Sequence, residues 1–312
     1  MCLSFFARIW LGWLNYYLAF FVPLQRMHIF SSYKIIIDTL EQSLFTSIRF
    51  FILGGSIFLF FYVWKKQKYW HLKIQQRFPG KEHIIREIKY SFFTVIIFGM
   101  VVLEVMWASK NRWTLVYYPM DKYGYPYLVL SFFLMILLHD TYFYWTHRLL
   151  HWKPLFKYVH KVHHLSLNPT PFSAYAFHPV EALVEAGIIP LIVFTIPYHV
   201  LPLSIFSIYT LVMNVMGHMG YEFFPKGFVS HKILKWHNTA TNHNMHHRFV
   251  KCNYGLYFNI WDRLMGTNHP HYEAYYDKVI EQRKSGINAL DVDIEETRKV
   301  EVVIAEAVDT IE

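Results

Sequence analysis

Apolar residues along this chain fall in long blocks separated by short polar or charged stretches. The first block, residues 9–24, is short for a bilayer crossing and is interrupted by Asn15. With Arg8 ahead of it and no small-residue cleavage site after it, it reads as a first span or an interfacial helix rather than a signal peptide. Residues 45–64 have the length that crosses a hydrocarbon core, with Arg49 placed to snorkel near one end. Tyr62 and Trp64 then meet Lys65 and Lys66, an aromatic belt followed by a basic flank. Residues 91–108 give the next span and residues 111–125 a short tyrosine-rich link. A further span starts at Tyr127 and, after about 20 residues, leaves the apolar core near Trp145. Two shorter runs follow at 186–197 and 200–217, interrupted by Pro190, Pro197 and Pro202 and flanked by His178 and His218. They read as a shallow or tilted hairpin that enters the membrane and leaves on the same side. From Tyr221 the chain is polar and aromatic; beyond Tyr275 it is charged, and its acidic end reads as a peripheral helix or mobile tail. No internal repeat is present. The pattern predicts an all-α fold of polytopic membrane helices.

Composition agrees with that pattern. A chain of 312 residues that is 54% hydrophobic, 20% aromatic and only 17% charged is too apolar for an ordinary soluble enzyme. A net charge of +8 would suit a nucleic-acid partner, but the basic residues are concentrated between apolar blocks. Residues 65–89 carry eight Lys or Arg against two Glu. The positive-inside rule places this stretch in the cytoplasm, and the distribution speaks for membrane topology and against nucleic acid. The two cysteines, Cys2 and Cys252, form no motif, so neither a disulfide scaffold nor a thiolate metal site is expected.

The candidate chemistry lies in the histidines. Six of them occur in the 26 residues from His139 to His164. His147 and His151 are four apart, His160, His163 and His164 form HKVHH, and His243, His246 and His247 form HNMHH. On a helix, residues four apart share a face, so each cluster presents imidazoles to one side. Neutral imidazole suits zinc, copper, iron and nickel, and three such clusters within 101 residues describe a polynuclear transition-metal site. A structural zinc uses four ligands and needs nothing like nine imidazoles; two ions account for the number. Span length and charge place His147 and His151 just beyond the cytoplasmic interface, on a continuation of their helix. No HExxH, GxSxG, Walker loop or GxGxxG is present, and no carboxylate recurs with the histidines as in soluble di-iron bundles.

With HRLLH, HKVHH and HNMHH in this order, and with FYWTHR, NYG and WDRLMGT at their positions, the chain resembles the membrane-bound fatty acid hydroxylase and sterol desaturase superfamily over roughly residues 130–267. The resemblance implies a cytoplasmic histidine-rich helical domain with a di-metal centre. Two iron ions would use dioxygen and two electrons to hydroxylate or desaturate a lipid. Carried over by position, the ligands are His147, His151, His160, His163, His164, His218, His243, His246 and His247. His218 lies in GHMGYEFFP, similar to the HxGY segment of methyl-sterol oxidases. Some family members have a further histidine one turn earlier, where this chain has Asn214. PTPFSAYAFHPVE resembles a segment of sterol C-5 desaturases and tilts the substrate toward sterols. The implied division is an N-terminal transmembrane region (1–125), a catalytic domain (126–275) and a charged tail (276–312).

The remaining polar residues near the clusters divide by position. His139 and Asp140 precede His147 by eight and seven residues, about 80° and 20° round the helix, and are candidates to support an imidazole from behind. His178 and His237 stand between such a role and a structural one; His231, His269 and His271 read as surface residues. No heme motif is fused to the chain, so the electrons would come from a separate b-type cytochrome, ferredoxin or reductase. The expected location is the bacterial inner membrane or the endoplasmic reticulum, with the histidines facing the cytoplasm. The alternative is a non-redox membrane hydrolase or metal carrier binding zinc in the same clusters. Zinc could also stand in for iron in purified protein.

Overall fold

The computed structural model describes residues 32–285. The apolar run at 9–24, Cys2 and the acidic end lie outside the described residues. Among those described, the chain is helical, with isolated β-bridges and no named strand.

Helix α1 (Ser32–Phe58) continues through a π-helical stretch, Leu59–Trp64, to the aromatic belt. Its two faces differ as the sequence pattern requires. Ile36, Leu40, Leu44, Ile48 and Ile52, spaced by four, are exposed, whereas Ser43, Thr46 and Phe50 are buried. An exposed stripe of that length fits lipid rather than water. Helix α2 (Lys81–Lys110) returns along the buried face. At their crossing, a Cβ on Gly99 would collide with Ser43, so a glycine is needed for this approach. The basic stretch at 65–89 is therefore not one loop: Pro79 and Gly80 end the loop, and residues 81–89 form the first turns of α2.

Helix α3 (Tyr125–Leu150) starts after Gly124, at φ 78°, with Pro126 in its first turn. It carries His147 but stops one residue before His151. After a turn of helix at Lys153–Leu155, a π-helical turn, Phe156–His160, runs into the short helix α4 (Lys161–His164). Helices α5 (Pro179–Ala186) and α6 (Ile188–Thr195) then lead away from the histidines, and α7 (Val200–His218) leads back. The hairpin does begin and end on the same side, but it is not shallow. Its tip reaches the link after α2: the Leu115 amide donates to Val193 O at 2.9 Å and the Tyr117 amide to Tyr198 O at 2.9 Å. Tyr127 Oη, at the start of α3, donates to Pro197 O at 3.0 Å. The descending arm looks short in sequence because it is divided between α5 and α6 at Gly187.

Among the described residues, four helical stretches are long and apolar enough to cross a membrane: Ile36–Trp64, Lys81–Lys110, Tyr125–Leu150 and Val200–His218. Met135, Ile136, Ile188, Ile192, Val193 and Phe206 form a core where α3, α6 and α7 meet. Beyond the spans lie α8 (Ala240–Phe249), α9 (Ile260–Leu264) and α10 (Tyr272–Ser285). Tyr272, Tyr276 and Ile280 of α10 pack on Phe228, Val229 and Met245, so the packed structure runs past Tyr275.

Candidate metal centre

The nine clustered histidines come together at the end of the helical bundle, eight of them buried and His151 partly so. They form two groups. His147, His151, His160, His164 and His246 make the first, and His163, His218, His243 and His247 the second, each with ligand atoms within 4.8 Å of one another. The π-turn at Phe156–His160 sets His160 back by a wide turn, a distortion frequent at functional sites.

Proton positions follow from what surrounds the rings. His147 Nδ1 donates to Tyr254 O at 2.9 Å, His246 Nδ1 to Cys252 O at 2.6 Å and His218 Nδ1 to Asn214 O at 2.8 Å. His160 Nδ1 faces Glu181 Oε1 at 2.7 Å. A neutral imidazole carries one N–H, so in these rings Nε2 is left as a bare lone pair. Yet the Nε2 atoms converge. His147 and His160 bring theirs to 3.1 Å, and His218 approaches those of His243 at 2.8 Å and His163 at 3.3 Å. Two lone pairs at such distances cannot bond to each other; a cation between them can bind both. With metal–nitrogen bonds of about 2.0–2.1 Å, neighbouring ligand nitrogens lie about 2.9–3.4 Å apart, which matches these separations. The Nε2 of His246 is buried with no hydrogen-bond partner, as are the Nδ1 atoms of His163, His164 and His247. The residues present therefore fit two transition-metal ions.

Burial also keeps the rings neutral. His151, His160, His163, His164, His243, His246 and His247 are held well below the usual histidine range, first by desolvation and then by one another. Burial raises the Glu181 carboxyl, whose Oε1 lies 2.7 Å from His160 Nδ1. The Cys252 thiol is pushed up to about 12, chiefly by burial, and it is the Cys252 carbonyl that meets a histidine.

The supporting residues expected from sequence lie at varying distances. His139 hydrogen-bonds Tyr257 Oη at 2.8 Å, and the Phe143 ring contacts both its ring and that of His147. Asp140 Oδ1 accepts from the Tyr257 and Phe258 amides at 2.8 and 3.1 Å, so it holds a chain segment rather than an imidazole. Asn214 turns its amide to Ala174 O at 3.0 Å, and its carbonyl is what orients His218. His178 caps α5 through the Val180 amide. His237 bonds Asn238 O at 2.6 Å and lines, with Asn214, His218 and His243, a cavity of about 140 Å³.

Sequence reasoning missed Glu181, the carbonyls of Tyr254 and Cys252, and Asp262. The two carboxylates, Glu181 and Glu185, among the apolar residues of the PVEALVEA run were the available signal for Glu181. Backbone carbonyls carry no sequence signal. Asp262 is fully buried and fixes the turn that carries Tyr254: Oδ1 accepts from the Tyr254 amide at 2.8 Å and from Thr267 Oγ1 at 2.7 Å, and Oδ2 from the Gly255 amide at 2.7 Å. A Cβ on Gly255 would strike Phe258 O, which explains the glycine of NYG. Just before that turn Val250 adopts φ 64°, a strained conformation for a β-branched residue, and there the chain reverses to bring Cys252 O over His246.

Residues 132–267 match the sequence model of the fatty acid hydroxylase family. Among curated proteins, a Delta(7)-sterol 5(6)-desaturase of Gibberella zeae is 31% identical over 188 residues, 60% of this chain and 57% of that protein. Lathosterol oxidase of Homo sapiens is 31% identical over 202 residues, 60% of this chain and 62% of that protein. A Delta(7)-sterol 5(6)-desaturase of Schizosaccharomyces pombe is 26% identical over 271 residues, 80% and 85% respectively. The chain thus spans about three fifths of the length of the first two relatives. No solved structure matches.

Proposed function

We propose, from the premise that residues 132–267 form a fatty acid hydroxylase-type domain of the sterol desaturase-like superfamily, that this protein is a membrane oxidoreductase. In this reading it holds two iron ions and uses dioxygen and two electrons to hydroxylate or desaturate a lipid. The observation that carries the reading is the convergence of Nε2 lone pairs in two groups. His147, His151, His160, His164 and His246 would hold one ion; His163, His218, His243 and His247 would hold the other. Iron bound there supplies the capacity to activate dioxygen. The chain supplies the rest. Tyr254 O, Cys252 O and Asn214 O keep His147, His246 and His218 in the ligating tautomer, and Glu181 does so for His160. Burial of the groups excludes bulk water, which limits unproductive oxidation.

The names of the relatives, sterol 5(6)-desaturases and lathosterol oxidase, support a sterol as the lipid class. Electrons would come from a separate b-type cytochrome, ferredoxin or reductase on the cytoplasmic side, in the endoplasmic reticulum or a bacterial inner membrane. The test is metal analysis of anaerobically purified protein together with lipid-dependent oxygen uptake in the presence of a reductant. Two iron ions per chain with uptake are expected. Stoichiometric zinc, with lipid hydrolysis and no oxygen consumption, would overturn the proposal in favour of a zinc hydrolase.

A further inference from the structure

The loop between α1 and α2 does more than connect spans. Lys73, Ile74 and Gln75 are buried although they lie in the most basic stretch of the chain. Backbone bonds join this strap to the segment after His218: the Ile74 amide donates to Gly220 O at 3.1 Å and the Glu222 amide to Leu72 O at 2.9 Å. Lys73 Nζ lies over the rings of Tyr62, Phe78 and Tyr221 at 5.1, 5.7 and 5.2 Å and donates to Asn168 Oδ1 at 3.3 Å. Gln75 makes the link of most consequence. The two protons of its Nε2 go to Leu167 O at 2.7 Å and to Asn244 Oδ1 at 2.9 Å. Leu167 follows His163 and His164 by a few residues, and Asn244 stands between His243 and His246.

The strap therefore fastens the segments that carry all four members of the four-histidine group, His163, His218, His243 and His247, but only two of the other five, His164 and His246. Its bonds named above reach neither α3, with His147, nor the turn that carries His160. We propose that Gln75 is a positioning residue for the four-histidine group, with the Lys73 anchor holding the strap in place. This rests on the reading of the two groups as metal sites. Groups behind metal ligands commonly change metal affinity by about 10–100-fold when lost.

Gln75→Glu keeps the shape but points carboxylate oxygens at two acceptors, Leu167 O and Asn244 Oδ1. The experiment is titration of the chelator-stripped, full-length protein with Co2+, followed by visible ligand-field absorption. His163→Ala identifies which equivalent belongs to the four-histidine group, and His71→Ala, exposed on the same loop, is the control. Gln75→Glu is expected to weaken that one equivalent at least tenfold and the other much less. Asn244→Ala is expected to act in the same direction, and the double variant to add little to Gln75→Glu, since both remove the Gln75–Asn244 bond. If both equivalents weaken alike, or neither does while the metal-free protein loses thermal stability, Gln75 only fastens the fold and the proposal fails. If wild-type protein binds fewer than two equivalents, the two-site reading fails first and this proposal with it.

Discussion

His163 and His164 are consecutive, yet their imidazoles belong to different groups, and the same is true of His246 and His247. Neighbours on a helix point about 100° apart, whereas residues four apart share a face. In HKVHH the outer pair, His160 and His164, serves the five-histidine group and the middle His163 serves the other; in HNMHH the outer pair, His243 and His247, serves the four-histidine group and His246 the other. Each HxxHH run is thus a bridge between two sites. The shared face of residues four apart was legible in the spacing; the division of each run between two groups was not. Which group each run favours depends on where α3 and α7 place His147 and His218, which spacing does not encode. The division makes a prediction sharper than loss of activity. His163→Ala should lose one of two bound ions and His246→Ala the other, each remaining in the membrane because the spans do not rest on the centre. Metal analysis of both variants checks this, and a full metal complement in either removes that residue from its group.

At the scale of elements, periodicity revealed the helices well because lipid-facing and packed faces differ so clearly, as in α1. It failed where a helix is divided, as at Gly187, and where a polar stretch is buried, as at Lys73 to Gln75, because only tertiary partners make such burial tolerable. Asp140 shows a related limit. Its position on nearly the same face as His147 suggested support for that imidazole, but its carboxylate holds residues 257–258, and Asp262 holds 254–255. Both acids therefore act on one segment, the one whose Tyr254 carbonyl orients His147. The two acids should respond differently to substitution. Asp140→Asn keeps the single oxygen that accepts both amides and should leave thermal stability and metal content close to wild type. Asp140→Ala strands two amides, and loss of an acceptor for a buried donor costs about 1–3 kcal/mol. Asp262 uses both oxygens, so even Asp262→Asn should destabilise and loosen His147. Thermal melting with metal analysis on the four proteins tests this; equal losses in Asp140→Asn and Asp262→Asn would contradict it.

For the molecule as a whole, the arrangement of ends decides the orientation of the centre. The α5–α6 arm and α7 form a hairpin from the histidines to the 115–118 segment and back, so the centre and the strap lie at one end and the link after α2 at the other. Charge divides in the same way. Residues 65–81 at the histidine end carry six Lys or Arg and no acid, whereas residues 111–124 at the far end carry Arg112 and Lys122 against Asp121. Short loops rich in Lys and Arg stay in the cytoplasm, so the strap, and with it the opening of the centre to a soluble reductant, should face that side. Single cysteines at Gln67, Lys251 and Lys122, all exposed, provide the test in a Cys2→Ser background. Buried Cys252, with its thiol pushed up to about 12, should stay unlabelled. A membrane-impermeant maleimide is expected to reach positions 67 and 251 only from the cytoplasmic face and position 122 only from the opposite face. Labelling of 67 and 122 from the same side would break the hairpin topology. Labelling of 67 from outside, with 122 inside, would keep the fold and reverse the orientation, and a cytoplasmic electron donor could then no longer be the partner.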